Sequence, residues 1–301
     1  MKSFIRYIAV VSFAVLATTQ MALAQAAQAP TLESLLTIPS VKKLSVRERA
    51  IHYAYTFLNN KTPYVVEPLG EGPQGDISQA PLYRFDGFDC TTFVETVMAL
   101  SFSSSPAEFK ARINQIRYKN GSVNYVMRNH FTSVDWIPNN QAYGFVKDIT
   151  MAVGGQYTRW SQTWIDKAGW YAKKGEEYAE LGAGIPQVLA QLPYLSKEDL
   201  INNPALVDRI PSGSIFSLVR PNWDLVKAAG TRMDVSHQGF FIREDGVLYM
   251  VHASNGAGRD GSDNYMGVKK EALTSYISRV MLSKETMAGF NILALPNRTL
   301  N

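Results

Sequence analysis

The stretch MDVSHQGFFIREDGVLYMVHAS, residues 233–254, reads as two strands joined by a tight turn. Asp245-Gly246 supplies two residues that tolerate positive φ. The flanking segments are rich in β-branched and aromatic side chains, so a two-residue hairpin is predicted. If Glu244 pairs with Val247, Gly239 falls opposite His252 and Ser254 opposite His237. Alternate residues of a strand share a face, which turns His237, Gly239, His252 and Ser254 the same way. Diagonal neighbours on such a pair have Cα atoms about 7–8 Å apart, within reach of a hydrogen bond between two imidazoles. A turn one residue longer would put the rings on opposite faces.

Two histidines side by side can be core residues, half of a metal site, or a base with its orienting partner. A second segment bears on the choice. RFDGFDCTTFVETVMAL, residues 84–100, holds the only cysteine of the chain, Cys90. After it, Phe93, Val94, Val97, Met98 and Leu100 recur on one helical face, so a buried helix is predicted to begin near the thiol. Asp89 is the natural N-cap, although Thr92-x-x-Glu95 offers a competing capping box that would leave Cys90 in the preceding loop. At a helix start, unpaired N–H groups and the macrodipole favour an anion, which can lower a thiol pKa and receive an oxyanion. The alternative is a small buried hydrophobe.

The other two histidines differ in kind. His52 lies between Ile51 and Tyr53 on an amphipathic helix predicted over residues 46–59, opened by the Ser45-x-x-Glu48 capping box, and reads as structural. His130 sits in RNHFTSVDWIPNN, where Arg128, Asn129 and His130 either contact a polar ligand or pack an elaboration of the core. A zinc site would need Asp89 or Cys90 to complete the ligand set, and there is no His-Glu-x-x-His pattern.

Strands are also predicted at 214–219 and 290–295, a helix at 269–280 and a short extended segment around 82–85. Residues 110–210 are aromatic and irregular, and read as an insertion. The first 24 residues carry Lys2 and Arg6, an apolar run from Ile8 to Ala17 and Ala22-Leu23-Ala24, the pattern of a signal peptide cleaved after Ala24. That apolar run is shorter than the roughly 20 residues that span a bilayer, and no later stretch is as apolar, so a soluble exported protein is expected. A single cysteine permits no internal disulfide in that compartment. The formal charge of +4 is well mixed, which speaks against nucleic acid as a partner. With 46% hydrophobic residues, residues 25–301 suffice for one large domain.

Taken together, Asp89-Cys90 heading a helix, Ser236-His237-x-Gly239 on a strand and His252-Ala253-Ser254 on the next resemble the NlpC-type, papain-like cell-wall amidases and peptidases. FDCTTFVE, RNH with DWIPNN, PSGSI, VSHQG and VHAS resemble the N-acetylmuramoyl-L-alanine amidase-like branch, over residues 35–296. The resemblance implies an α+β fold with a papain-like core. The Cys helix packs on an antiparallel sheet carrying the histidines, and residues 110–210 form an insertion that shapes the substrate pocket.

It further implies Cys90 as nucleophile, His237 as base and His252 as its orienting partner, with Asp89, Arg128, Asn129 and His130 as candidate substrate contacts. No metal or cofactor is implied. The expected reaction is hydrolysis of the amide between N-acetylmuramic acid and L-alanine in peptidoglycan fragments, in the periplasm or outside the cell. The alternatives are cleavage within the stem peptide, of the γ-D-glutamyl-diamino acid type, and a non-catalytic cell-wall-binding protein. The family's Ser-Gly after Asp-Cys is Thr91-Thr92 here, and its Gly-Asp before the histidine strand is Gly213-Ser214.

Overall fold

The computed structural model describes residues 29–66, 69–256 and 265–300. The predicted signal peptide, residues 1–24, lies outside the described residues. Eight strands are described: β1 (Lys147–Asp148), β2 (Thr158–Ile165), β3 (Val188–Ser196), β4 (Ser214–Leu225), β5 (Thr231–Glu244), β6 (Val247–Ser254), β7 (Gly267–Ala272) and β8 (Gly289–Ala294). They form one antiparallel sheet in the order β2-β3-β8-β4-β5-β6-β7, with β1 added to β8. Thirteen α-helices accompany it among the described residues, which makes the fold α+β.

The β5–β6 hairpin has the predicted register. Glu244 pairs with Val247, and the ladder runs to Phe240 opposite Val251. Asp245 and Gly246 both have positive φ, as a type I′ turn requires. Beyond Phe240 the two strands no longer ladder to each other, while β5 remains paired with β4 through Gly239 opposite Phe216 and His237 opposite Leu218.

Both faces of the sheet are covered. On one face Ile215, Phe240, Ile242, Val251 and Val268 pack against helix Val46–Asn59 and helix Cys90–Ser101. Phe93 meets Phe240 edge to face, with ring centroids 5.8 Å apart. On the other face Phe216, Phe241, Met250, Phe290 and Ile292 pack with Leu273, Ile277 and Met281. Each fully buried side chain of this kind contributes about 1.5–3 kcal/mol relative to exposure, so the two layers pin the strands that carry the histidines.

Residues 110–210, expected as an insertion, contribute β1, β2 and β3 to the same sheet as the hairpin. Their alternation is hard to read because β2 turns Trp160 and Trp164 outward, both more than half exposed. The helix predicted at 269–280 begins only at Leu273, because Gly267–Ala272 forms β7 against β6. Helix-favouring Lys269, Lys270 and Glu271 are overridden by the open edge of β6, whose backbone groups need partners. Residues 82–85 join no strand among the described residues; Tyr83 and Phe85 instead pack their rings on Phe109.

Candidate active site

Asp89 caps helix Cys90–Ser101. Its Oδ1 accepts from the Thr92 amide at 2.7 Å, and Thr92 Oγ1 accepts from the Asp89 amide at 3.0 Å. Of the two caps the sequence allowed, this one makes Cys90 the first helical residue. One carboxylate oxygen of Asp89 is therefore occupied by capping. Cys90 lies at the wall of a cavity of about 250 Å³ that it shares with Tyr64, Trp223, Ser236, His237 and Tyr276.

His237 and His252 form the expected diagonal pair, His237 Nε2 lying 2.7 Å from His252 Nδ1. Gly239 makes room for it. A Cβ there would stand 2.7 Å from both His252 Cβ and Phe216 Cζ. We therefore expect Gly239→Ala to destabilise the fold by about 1–3 kcal/mol, as overpacking does, and to displace the His252 ring. Urea denaturation checks the first effect. Unchanged stability would show that the strands yield there.

The pair does not end at His252. Its Nε2 lies 3.0 Å from Glu271 Oε2, and the other oxygen of Glu271 lies 2.6 Å from Arg279 Nη2. Glu271 reaches this position because β7 sets it opposite Met250, one step along the face from His252. Lys269, also on β7, lies directly opposite His252. Sequence reasoning missed Glu271 and Arg279 because it assigned both to one helix, with no cue that a strand intervened.

These contacts dictate where the protons sit. An arginine-paired carboxylate accepts, so His252 Nε2 donates and its Nδ1 is left to accept. His237 Nε2 then donates to it, and His237 Nδ1 keeps a lone pair for a proton from the cavity. Burial holds the His237 pKa well below the ordinary 6.5, and repulsion from His252 adds to this, so the ring is a neutral base.

The thiol departs from the sequence expectation. Burial pushes Cys90 up to about 12, with the Asp89 carboxylate adding to it, against opposing hydrogen bonds from the Gln238 backbone and from Thr91. A helix terminus is worth about 0.3–1 kcal/mol, less than the roughly 1.4 kcal/mol of one pK unit, so it does not offset the burial. At rest the thiol and the His237 imidazole are both neutral, and both line the same cavity.

A second cavity of about 410 Å³ is lined by Asp89 and Thr91 from the Cys90 side and by Arg128, Asn129, His130 and Trp170 from the other. The His130 ring lies 4.6 Å from those of Tyr125 and Trp170, and its Nε2 donates to the Tyr125 carbonyl at 2.8 Å. Burial, and then the Arg128 charge, lower its pKa to about 3. Arg128 Nη1 donates to the Leu69 carbonyl at 3.2 Å and lies 3.7 Å from Glu71 Oε1. Asn129 Nδ2 donates to the Ile116 carbonyl at 3.1 Å. His52 stands apart on helix Val46–Asn59, against Tyr53. No group of three or more metal-ligating side chains occurs among the described residues. No helix there is long and apolar enough to cross a membrane.

Solved structures share this architecture. A protein of Legionella pneumophila is 32% identical, with 87% of this chain and 93% of that one aligned and a TM-score of 0.78. An N-acetylmuramoyl-L-alanine amidase of Bacteroides uniformis is 22% identical, over 82% of this chain and 99% of its own, with a TM-score of 0.60, a likeness of fold. No curated protein matches in sequence. Residues 41–285 match the AmiA-like model, described as N-acetylmuramoyl-L-alanine amidase-like, and the chain belongs to that family.

Proposed function

We propose that the protein is a cysteine amidase that hydrolyses the amide between N-acetylmuramic acid and L-alanine in peptidoglycan fragments. The observation that carries this reading is the hydrogen-bonded chain His237–His252–Glu271 ending in the cavity that Cys90 heads. Membership of the amidase-like family supports the choice of bond.

Cys90 Sγ attacks the lactyl carbonyl while its proton passes to His237 Nδ1. The backbone N–H of Cys90, at the start of helix Cys90–Ser101, stabilises the tetrahedral oxyanion. His237 then protonates the alanine nitrogen, which leaves with the stem peptide. Water enters, gives a proton to His237 and releases the lactyl carboxylate, restoring the thiol. His252 keeps His237 in the tautomer and orientation that both proton transfers require. No step calls for a metal or a cofactor.

On this reading the core is papain-like and of NlpC type. Residues 25–301 act as one catalytic domain after removal of residues 1–24, in the periplasm or outside the cell. Asp89, through its second oxygen, and the Arg128–Asn129–His130 segment border the bound fragment from the second cavity.

Digestion of defined muropeptides followed by mass spectrometry tests this reading. The expected products are a muramyl sugar with a free lactyl carboxylate and a stem peptide with a free N-terminal alanine. A shortened stem still attached to the sugar would instead establish the stem-peptide endopeptidase. No turnover of any fragment would favour a wall-binding protein without catalysis.

A further inference from the structure

The wall of the Cys90 cavity contains a charge that the proposed mechanism leaves unused. Arg220, on β4, lines it together with Cys90 and His237. No aspartate or glutamate lines that cavity among the described residues, and no carboxylate there lies within ion-pairing distance of Arg220. A partly buried guanidinium without a counter-ion is costly unless an anion completes it.

Arg220 is also held in one orientation. Its plane lies over the Trp223 ring, with Cζ 3.6 Å from the centroid. Its Nε and Nη2 both donate to Thr286 Oγ1. Those two bonds use one edge of the guanidinium. The Nη1 hydrogens and the second Nη2 hydrogen remain, an end-on fork of the geometry that grips a carboxylate through two parallel bonds. Because the stacking ring and the threonine fix the group beforehand, little side-chain freedom is lost when an anion binds.

We infer that Arg220 forms a carboxylate subsite beside the nucleophile, selecting substrates with a free carboxylate on the second residue of the stem. The inference rests on the amidase reading above. In a stem whose glutamyl residue is linked through its side-chain carboxyl, the α-carboxylate is free. At about 3.5 Å per extended residue it lies within about 7 Å of the scissile nitrogen. Conversion of that carboxylate to a carboxamide, a neutral group of nearly the same shape, removes the charge that the subsite reads.

Calorimetry on the Cys90→Ala protein, which retains the cavity but not the nucleophile, tests this without turnover. The ligands are muramyl-L-alanyl-D-glutamate with the side-chain carboxyl capped as its methylamide and the α-carboxylate free, and the same capped molecule as its α-carboxamide. The carboxylate form is expected to bind about 10- to 100-fold more tightly, the span of one charge-assisted contact. In Cys90→Ala/Arg220→Gln the difference closes, and in Cys90→Ala/Arg220→Lys it survives in part. Equal affinities in Cys90→Ala, no binding of either ligand, or a preference that outlasts Arg220→Gln would each overturn the subsite. Should Arg220→Gln fail to fold, the carboxylate–carboxamide comparison in Cys90→Ala decides alone. Failure of the amidase reading looks different: the native protein leaves the muramyl–alanine bond intact while the binding preference persists.

Discussion

On the proposed mechanism, replacing Cys90 by alanine is expected to lower turnover of muramyl peptides by on the order of 10⁶-fold, the scale on which an enzyme loses its nucleophile, while the protein stays folded. The folded state survives because the side-chain contact of the thiol is weak: among the described residues Cys90 Sγ lies 3.9 Å from Thr91 Oγ1, and Asp89 caps the helix with or without sulfur. Cys90→Ser keeps the shape of the site but presents a hydroxyl, a weaker nucleophile beside the same base, and also loses most of the activity. Release of alanine-terminated peptide, followed by chromatography, measures the rate, and thermal unfolding monitors the fold. Activity within tenfold of the native protein in Cys90→Ala would remove the thiol from the mechanism and leave a wall-binding role. Because burial holds the thiol near 12, iodoacetamide labels Cys90 slowly at neutral pH, unlike an ion-paired thiolate.

The second large effect lies at the far end of the hydrogen-bonded chain. Glu271→Gln replaces the acceptor-only carboxylate by an amide whose single oxygen cannot serve both His252 and Arg279. His252 then loses the constraint that keeps its Nδ1 free to accept, and His237 spends time in the tautomer that cannot take the thiol proton. A wrong tautomer costs up to about 10⁴-fold; for a residue acting one ring further away we expect about 10²-fold, in kcat rather than KM. His252→Phe, which removes the acceptor outright, approaches the larger figure.

The pH profile distinguishes positioning from general damage. The proposed mechanism requires neutral His237, and its pKa lies below 6.5, so the acid limb of kcat/KM is expected below pH 6.5 in the native protein. Glu271 favours the charged form of the histidine pair, while Lys269, directly opposite His252, opposes it. Removing the carboxylate therefore lowers the pKa of the pair further, and the limb in Glu271→Gln moves to more acid pH as the plateau drops. A variant that merely loosened the fold would lose activity without that displacement. A limb that stays where it was would reduce Glu271 to a structural contact.

The histidine pair and the capped cysteine were legible in short segments because the cues that govern them are local. Asp245-Gly246 sets the turn, the turn sets the register, and the register brings His237 Nε2 to 2.7 Å from His252 Nδ1. Asp89 and Thr92 close a cap within four residues, and that puts Cys90 at the first helical position. A family resemblance resting on such segments leads to the matched amidase-like family for the same reason.

What escaped depends on groups that meet from distant parts of the chain. Glu271 joins the histidines only because β6 has an open edge that turns a helix-favouring segment into β7. Arg220 reaches the Cys90 cavity from β4 and is fixed there by Thr286, 66 residues away in sequence. The acidity of Cys90 changed direction from the expected one, because helix position is a local property and burial is not. Sequence alone determined the register of the hairpin, the start of the Cys90 helix and the family. Burial and long-range pairing, which exist only once the layers have closed, decided the protonation of the site and the charges around it.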